Sequence, residues 1–299
     1  MRKLKNISFS YNSFDKNKWS TPKGITSSFE SFGINVYEFI CQKKEKFRFP
    51  SKSFIEKNFI DAHLIFHSGY SRDLEIKIQD FKNQNPKVLL IIELGDEPQT
   101  RNCNFLKASL ADICLTPDAD CAEYWNKKGI NCKWWTHWAD TSIFYDLKKK
   151  RNTFMGTTMG KRKYSFFLKI LLGKNFINKF CIGEENTYFY NTLKIVFQYS
   201  KFNEITRRIF ESSACGCCVI TNRIPESKKL SSIFVHNESI IYFDNIFSLL
   251  IEILKIIFNP KKVKMISNNA NFIVMQNHTQ ISRVKQLIGF IESDRKFIS

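Results

Sequence analysis

Short apolar runs of strand length, each ended by a small or polar loop and followed by a segment of helical period, constrain the fold of this chain more than any other feature. AHLIF at 62–66 runs into HSGY, KVLLIIEL at 87–94 into GDEP, ADICL at 111–115 into TPDAD, and NCKWW at 131–135 into THWAD. After a charged linker at 146–152 the pattern resumes with TFMG at 153–156, NKFCIG at 178–183, LKIVFQYS at 193–200, CCVIT at 217–221 and SIIYF at 239–243. Apolar runs alternating with helical segments are how a parallel sheet with crossover helices is written in sequence. The 299 residues (35.2 kDa) provide enough chain for two separate cores. The sequence therefore predicts two α/β domains with a cleft between them and a boundary near residue 146.

Ligands of such sheets gather outside the carboxyl ends of the strands, so the residues directly after each run are the candidates. In the first half these are His67, Ser68, Gly69, Glu93, Gly95, Asp96, Thr116, Asp118, His137 and Asp140. Asp96 is the first choice for a general base or sugar contact and His67 the second, while Asp118 and Asp140 read equally well as helix caps. The second half offers FNEITRRIFESSACGCCVITNRIPES at 202–227. Its pattern predicts a helix capped by Asn203, with an apolar stripe of Ile205, Ile209 and Phe210, a stop at Gly216, and a buried strand at 217–221. Glu204 and Glu211, two turns apart, would share one face of that helix, and its positive end near Asn203 would meet an anion. On spacing alone, Glu211 reads first as a solvated carboxylate paired with Arg207 or Arg208.

Charge narrows the partners. A formal net charge of +18 and a pI near 9.5 favour an anionic ligand or surface: nucleotide, nucleic acid, acidic glycan or anionic membrane. Between residues 148 and 183 there are ten Lys or Arg and no Asp or Glu, a strip from Lys148 to Lys179 that could track a polynucleotide. The nine cysteines sit in or beside apolar runs without paired CxxC elements, which predicts buried thiols, a reducing compartment and no metal site. MRKLKNISFSYNSF at the start lacks an apolar core of signal-peptide type. FSLLIEILKIIF at 247–258 is too short to span a bilayer and carries Glu252 and Lys255. Its residues Phe247, Leu250, Ile251, Leu254, Ile257 and Phe258 follow helical spacing and predict a core-facing stripe. A cytoplasmic protein is expected, with peripheral membrane contact left open.

The second half also resembles a known family. Arg208-Ile-Phe-Glu211, Ala214-Cys215-Gly216 before a strand, Pro225-Glu226 in an acidic turn, and His278-Thr279 with Arg283 resemble the GT-B glycosyltransferases, and within them the CgeB-like (spore-maturation) group. DEP at 96–98, LTPDADCAEYWNKKGINC at 115–132 and HWADTSIF at 137–144 match more loosely. The resemblance implies two Rossmann-like domains, an acceptor-side one at 1–146 and a nucleotide-sugar-binding one at 147–299 with terminal helices, their parallel sheets facing an interdomain cleft. It also implies a metal-independent enzyme that needs no cofactor and takes a nucleotide sugar, UDP-linked, as donor. Glu211 would hold the donor ribose. Gly156, Thr157, Lys161, Arg162, Asn203, Glu204 and Arg208 would surround the diphosphate and sugar, and Asp96 and His67 would serve the acceptor. Asn203 stands where many retaining enzymes of this fold carry a first glutamate, with Glu204 one residue later.

Three functions follow from these features. The first is transfer of a sugar to a glycan, lipid or protein acceptor. The second is the same chemistry on modified bases of DNA or RNA, through the basic strip. The third is a non-catalytic nucleic-acid-binding protein on a GT-B-like frame, since a fold does not certify an activity.

Overall fold

In the computed structural model, residues 3–13, 21–42, 47–66, 71–95, 97, 99–158, 163–294 and 297 are described. The chain divides into two compact units: Met1–Thr136 with Arg283–Ser299, and His137–Ser282. Each is built on a parallel sheet.

The first unit runs β1 (Asn6–Ser13), α1 (Thr21–Ser31), β2 (Asn35–Gln42), α2 (Lys52–Lys57), β3 (Ala62–Phe66), α3 (Arg72–Gln84), β4 (Leu89–Glu93), α4 (Arg101–Leu110), β5 (Ile113–Thr116), α5 (Ala119–Lys127) and β6 (Cys132–Trp134). Its strands lie in the order β2-β1-β3-β4-β5-β6, every pair parallel. β3, β4 and β5 are the apolar runs of the sequence, buried along nearly their whole length because helices cover both faces of the sheet. β1 carries no such signal, since Ser8 and Ser10 alternate with Ile7, Phe9 and Tyr11, yet it lies between β2 and β3. Its buried hydroxyls are satisfied: Ser8 Oγ lies 2.8 Å from His63 Nδ1, and Ser10 Oγ donates to the Arg48 carbonyl at 2.7 Å.

The second unit runs β7 (Thr153–Thr157), α6 (Ser165–Leu172), β8 (Phe176–Asn178), α7 (Glu184–Tyr190), β9 (Leu193–Gln198), α8 (Arg207–Ala214), β10 (Cys218–Asn222), α9 (Leu230–Ile233), β11 (Ile241–Phe243), α10 (Ile246–Phe258) and α11 (Pro260–Asn277). The order β11-β10-β9-β7-β8, again all parallel, is the same doubly wound arrangement. One face of this sheet packs Met155, Ile195, Phe197, Cys218 and Ile220 against α6, α10 and α11.

The last helix, α12 (Gln280–Glu292), starts in the second unit and from Arg283 belongs to the first. There Trp135 Nε1 donates to the Arg283 carbonyl at 2.9 Å and Leu4 N to Glu292 Oε1 at 3.0 Å. The division thus falls at 136/137 rather than 146/147, and the chain end returns to the first unit. The physical cause is in residues 137–145, which bond within the second unit. Ala139 N donates to the His278 carbonyl at 3.0 Å, Gln280 N to the Ala139 carbonyl at 3.2 Å, and Thr187 Oγ1 to the Ile143 carbonyl at 2.8 Å.

Three local expectations are corrected. The run at 178–183 is not a strand beyond its first residue: β8 is Phe176–Asn178. The helix of 202–227 starts at Arg207, not Asn203: Asn203 has φ +54°, outside the extended backbone of an N-cap, and Thr206 takes that place. In α10 the faces are reversed. Leu249, Ile253 and Ile256 are buried, whereas Phe247, Ile251, Leu254, Ile257 and Phe258 are exposed. Counting apolar residues could not separate two stripes that are both apolar. All nine cysteines are unpaired thiols, eight of them buried. No helix of the described residues is long and apolar enough to cross a membrane.

Candidate functional site

In the second unit the strand order reverses between β7 and β9, and the carboxyl ends of those strands open the crevice where such sheets receive ligands. Thr157 ends β7 and Thr158 follows it, both buried. Thr158 Oγ1 lies 3.2 Å from the Tyr190 hydroxyl. After β9, Ser200 and Glu204 close a turn: Ser200 Oγ accepts from Glu204 N at 2.9 Å and donates to the Glu204 carbonyl at 2.6 Å. Asn222 at the end of β10 fixes that turn, its Oδ1 accepting from Ser200 N at 2.7 Å. The β9–α8 connection is therefore held at both ends, and α8 begins beside the crevice.

α8 carries the charged centre of the site. Ile209 and Phe210 face the core, and Arg207, Arg208 and Glu211 form the polar side. Glu211 is only 4 % exposed, although it is an ionisable group with no hydrogen bond or ion pair to a described residue. Burial pushes its carboxyl above the usual carboxylate range. Arg207 and Arg208 oppose that shift and the nearby Asp140 adds to it. Burial, with the Glu211 charge second, also raises the Tyr190 phenol. Arg207 lies over the Trp138 ring, 5.4 Å from its centroid. Asp140 Oδ1 accepts from Ser142 N at 3.1 Å and Ser142 Oγ at 2.6 Å, and Phe210 and Phe234 pack on the His278 ring at 5.2 and 6.4 Å. The motifs at 137–144, 208–211 and 278–279 meet here.

α8 ends as its sequence predicts. Gly216 has φ +74°, its N donates to the Ser213 carbonyl at 2.9 Å and Cys217 N to that of Ser212 at 3.0 Å, a glycine C-terminal cap. A Cβ there would lie 2.8 Å from Asp146 Oδ2 and 2.9 Å from Arg151 Nη2, groups locked to each other and to the Cys215 carbonyl.

The structure groups some of the sequence-predicted residues and separates others. Arg208, Glu211 and Thr157 lie around the β7/β9 crevice. Gly156 is inside β7, where a Cβ would meet the Ile177 carbonyl at 2.8 Å and the Leu193 methyls at 2.9 Å, so close packing demands its small size. Glu204 is in the turn and not on the helix, so it shares no helix face with Glu211, and Asn203 is exposed. Lys161, Arg162, Asp96 and His67 lie outside the described residues. Tyr190, Thr158 and Asp140 join the site through the fold. Asp140 stood among the strand-end candidates, but nothing in the sequence near Tyr190 marks it.

In the first unit, Glu97 follows β4. It is buried and held by Arg101 Nε at 3.2 Å and by the Asn104 amide, one turn apart on α4. Asp118, Asp120 and Cys121 at the start of α5 bring ligand-type atoms within 4.8 Å of one another. This is an acidic helix start of the kind the macrodipole favours without an ion.

Residues 146–289 match the family model described as glycosyl transferase-like. No curated protein matches at a significant level. Among solved structures the chain is similar to a sucrose-phosphate synthase from Thermosynechococcus elongatus (TM-score 0.65, 10 % identity, 96 % of this chain and 98 % of that one). It is also similar to a glycosyltransferase from Rickettsia africae (0.65, 9 %, 98 % and 98 %). A third neighbour is HepE of Anabaena in complex with UDP (0.65, 12 %, 97 % and 100 %). At these identities the likeness establishes the fold. Residues 146–289 thus carry a glycosyl transferase-like domain, and the two Rossmann-like α/β units have the GT-B fold.

Proposed function

We propose that the chain transfers a sugar from a nucleotide-sugar donor, UDP-linked, and that the crevice at the carboxyl ends of β7 and β9 holds the donor. The observation that carries this reading is Glu211: a buried carboxylate without a hydrogen-bond partner, on a helix fixed at both ends. A carboxylate accepts and never donates, so it suits a vicinal diol such as a ribose, whose two hydroxyls would replace the water Glu211 loses on burial. Support for a uridine nucleotide comes from HepE, whose structures are described with UDP, with UDP and glucose, and with UDP-glucose. The finer placement in the CgeB-like group rests on the motif order given above.

In the transfer step the bond between the anomeric carbon and the phosphate oxygen breaks and its electron pair leaves with the diphosphate. The acceptor hydroxyl oxygen forms the new glycosidic bond and its proton passes to a base. Arg208, whose guanidinium is half-buried and close enough to Glu211 to act on its charge, is placed to offset the charge developing on the diphosphate. Lys161 and Arg162 after β7, and Asp96 and His67 after the first unit's strands, keep their proposed donor and acceptor roles on sequence position alone.

The test is a panel of UDP, GDP, ADP and CMP sugars, read first as a rise in Tm and then as donor hydrolysis. A rise with a UDP-sugar supports the reading. No rise with any member refutes it and favours a binding protein on this frame.

A further inference from the structure

The reversed helix α10 leaves an apolar surface that the donor site does not use. Phe247, Ile251, Leu254 and Phe258 are spaced four, three and four residues apart and so form one stripe, with Phe247 73 % and Phe258 82 % exposed. On the same side of the sheet, α6 and the strand after it expose Phe166, Ile170, Leu171 and Ile177. α6, α10 and α11 converge on a cavity of about 720 Å³ at the amino ends of β7 and β9, away from the donor crevice. Phe154, Leu172 and Ile256 give it an apolar floor, and Lys149, Lys194 and Lys264 line it. All three lysines are exposed, and none forms an ion pair or hydrogen bond with a described residue. The single acid among the described lining residues, Asp146, is already paired with Arg151 at 3.1 Å and Lys148 at 3.0 Å. Lys174 of the basic strip, exposed in the turn between α6 and β8, stands beside the lining residues Leu172 and Asn175.

We propose that this face of the second unit docks on an anionic lipid bilayer, its exposed aromatic and aliphatic tips entering the acyl boundary while a headgroup phosphate seats among Lys149, Lys194 and Lys264. Apolar groups ringed by unpaired lysines match the two layers of a membrane surface, hydrocarbon beneath phosphate. A nucleic acid would use the lysines and stack on rings, but it gives Ile170, Leu171, Ile251 and Leu254 nothing to bury against. A second copy would bring these positive charges against their own counterparts across a two-fold axis. Vesicle binding is read without donor, so it stands or falls apart from the transfer reading.

The full chain is floated with phosphatidylcholine vesicles and with vesicles also containing phosphatidylglycerol, at low and high salt. Retention is expected on the anionic vesicles and is weakened by salt. Lys149→Gln, Lys194→Gln and Lys264→Gln should each lower the partition coefficient roughly fivefold. Phe166→Ser with Ile170→Ser and Phe258→Ser should lower retention on both vesicle types; these exposed positions leave the melt unchanged, which is checked alongside. No retention on either vesicle, or retention indifferent to both sets of variants, overturns the proposal. So does a solution dimer that the apolar variants dissociate. So does binding of a single-stranded oligonucleotide that the lysine variants abolish and the apolar variants spare, if vesicles are not retained.

Discussion

Glu211→Gln separates what the site costs from what it does. The substitution keeps shape and removes charge. In the folded protein the carboxyl is raised above its ordinary range, chiefly by burial, and Arg207 and Arg208 do not cancel that penalty. The native state then binds a proton at higher pH than the unfolded chain does. Ionised Glu211 therefore destabilises the fold at neutral pH, and its contribution improves as pH falls through its raised value toward the unfolded one. The variant should melt no lower than the parent at neutral pH and should lose that part of the acid-side gain. Binding moves the other way. A carboxylate holding two ribose hydroxyls makes two charge-assisted hydrogen bonds, and an amide keeps one neutral acceptor. The loss is about 1.5–3 kcal/mol, roughly ten- to 150-fold in the Kd for UDP. Calorimetric titration with UDP and a thermal melt on the same samples measure both. An unchanged Kd would refute the ribose role, and a Tm several degrees lower would show that Glu211 has a structural partner.

Three further outcomes are expected. His63 is buried against Phe81 and its imidazole is pushed down to about 3 by desolvation, so stability present above its unfolded value of 6.5 should fall by about 2 kcal/mol between neutral pH and about pH 5. His63→Gln should flatten that limb of a urea-unfolding series against pH. Leu249→Ala should cost about 2–5 kcal/mol and Leu254→Ala less than about 0.5 in the same assay, because only the first is buried in α10. Gly216→Ala should lower stability by about 1–3 kcal/mol, since the left-handed backbone and the locked Asp146–Arg151 pair both resist a Cβ; an unchanged melt would deny the strain.

Local chemistry fixed much of this in advance. β3, β4, β5, β9 and β10 are apolar runs bounded by turn residues, and helices between them left a parallel α/β sheet as the arrangement that buries both faces. Gly216 ended α8 because few other residues accept its backbone angle. β1 stayed hidden since its serines are buried only by virtue of partners distant in sequence, His63 and the Arg48 carbonyl.

Other features depended on contacts that no spacing records. α8 starts at Arg207 since the Ser200–Glu204 turn, anchored by Asn222, consumes the residues that could have begun it. α10 has two apolar stripes, and the sheet beneath it chose the one with Leu249, Ile253 and Ile256. Glu211 looks in sequence like a solvated carboxylate beside two arginines. Only the packing of α8 beside residues 137–145 and Tyr190 buries it next to Asp140, and that burial turns an ordinary glutamate into a candidate ligand group.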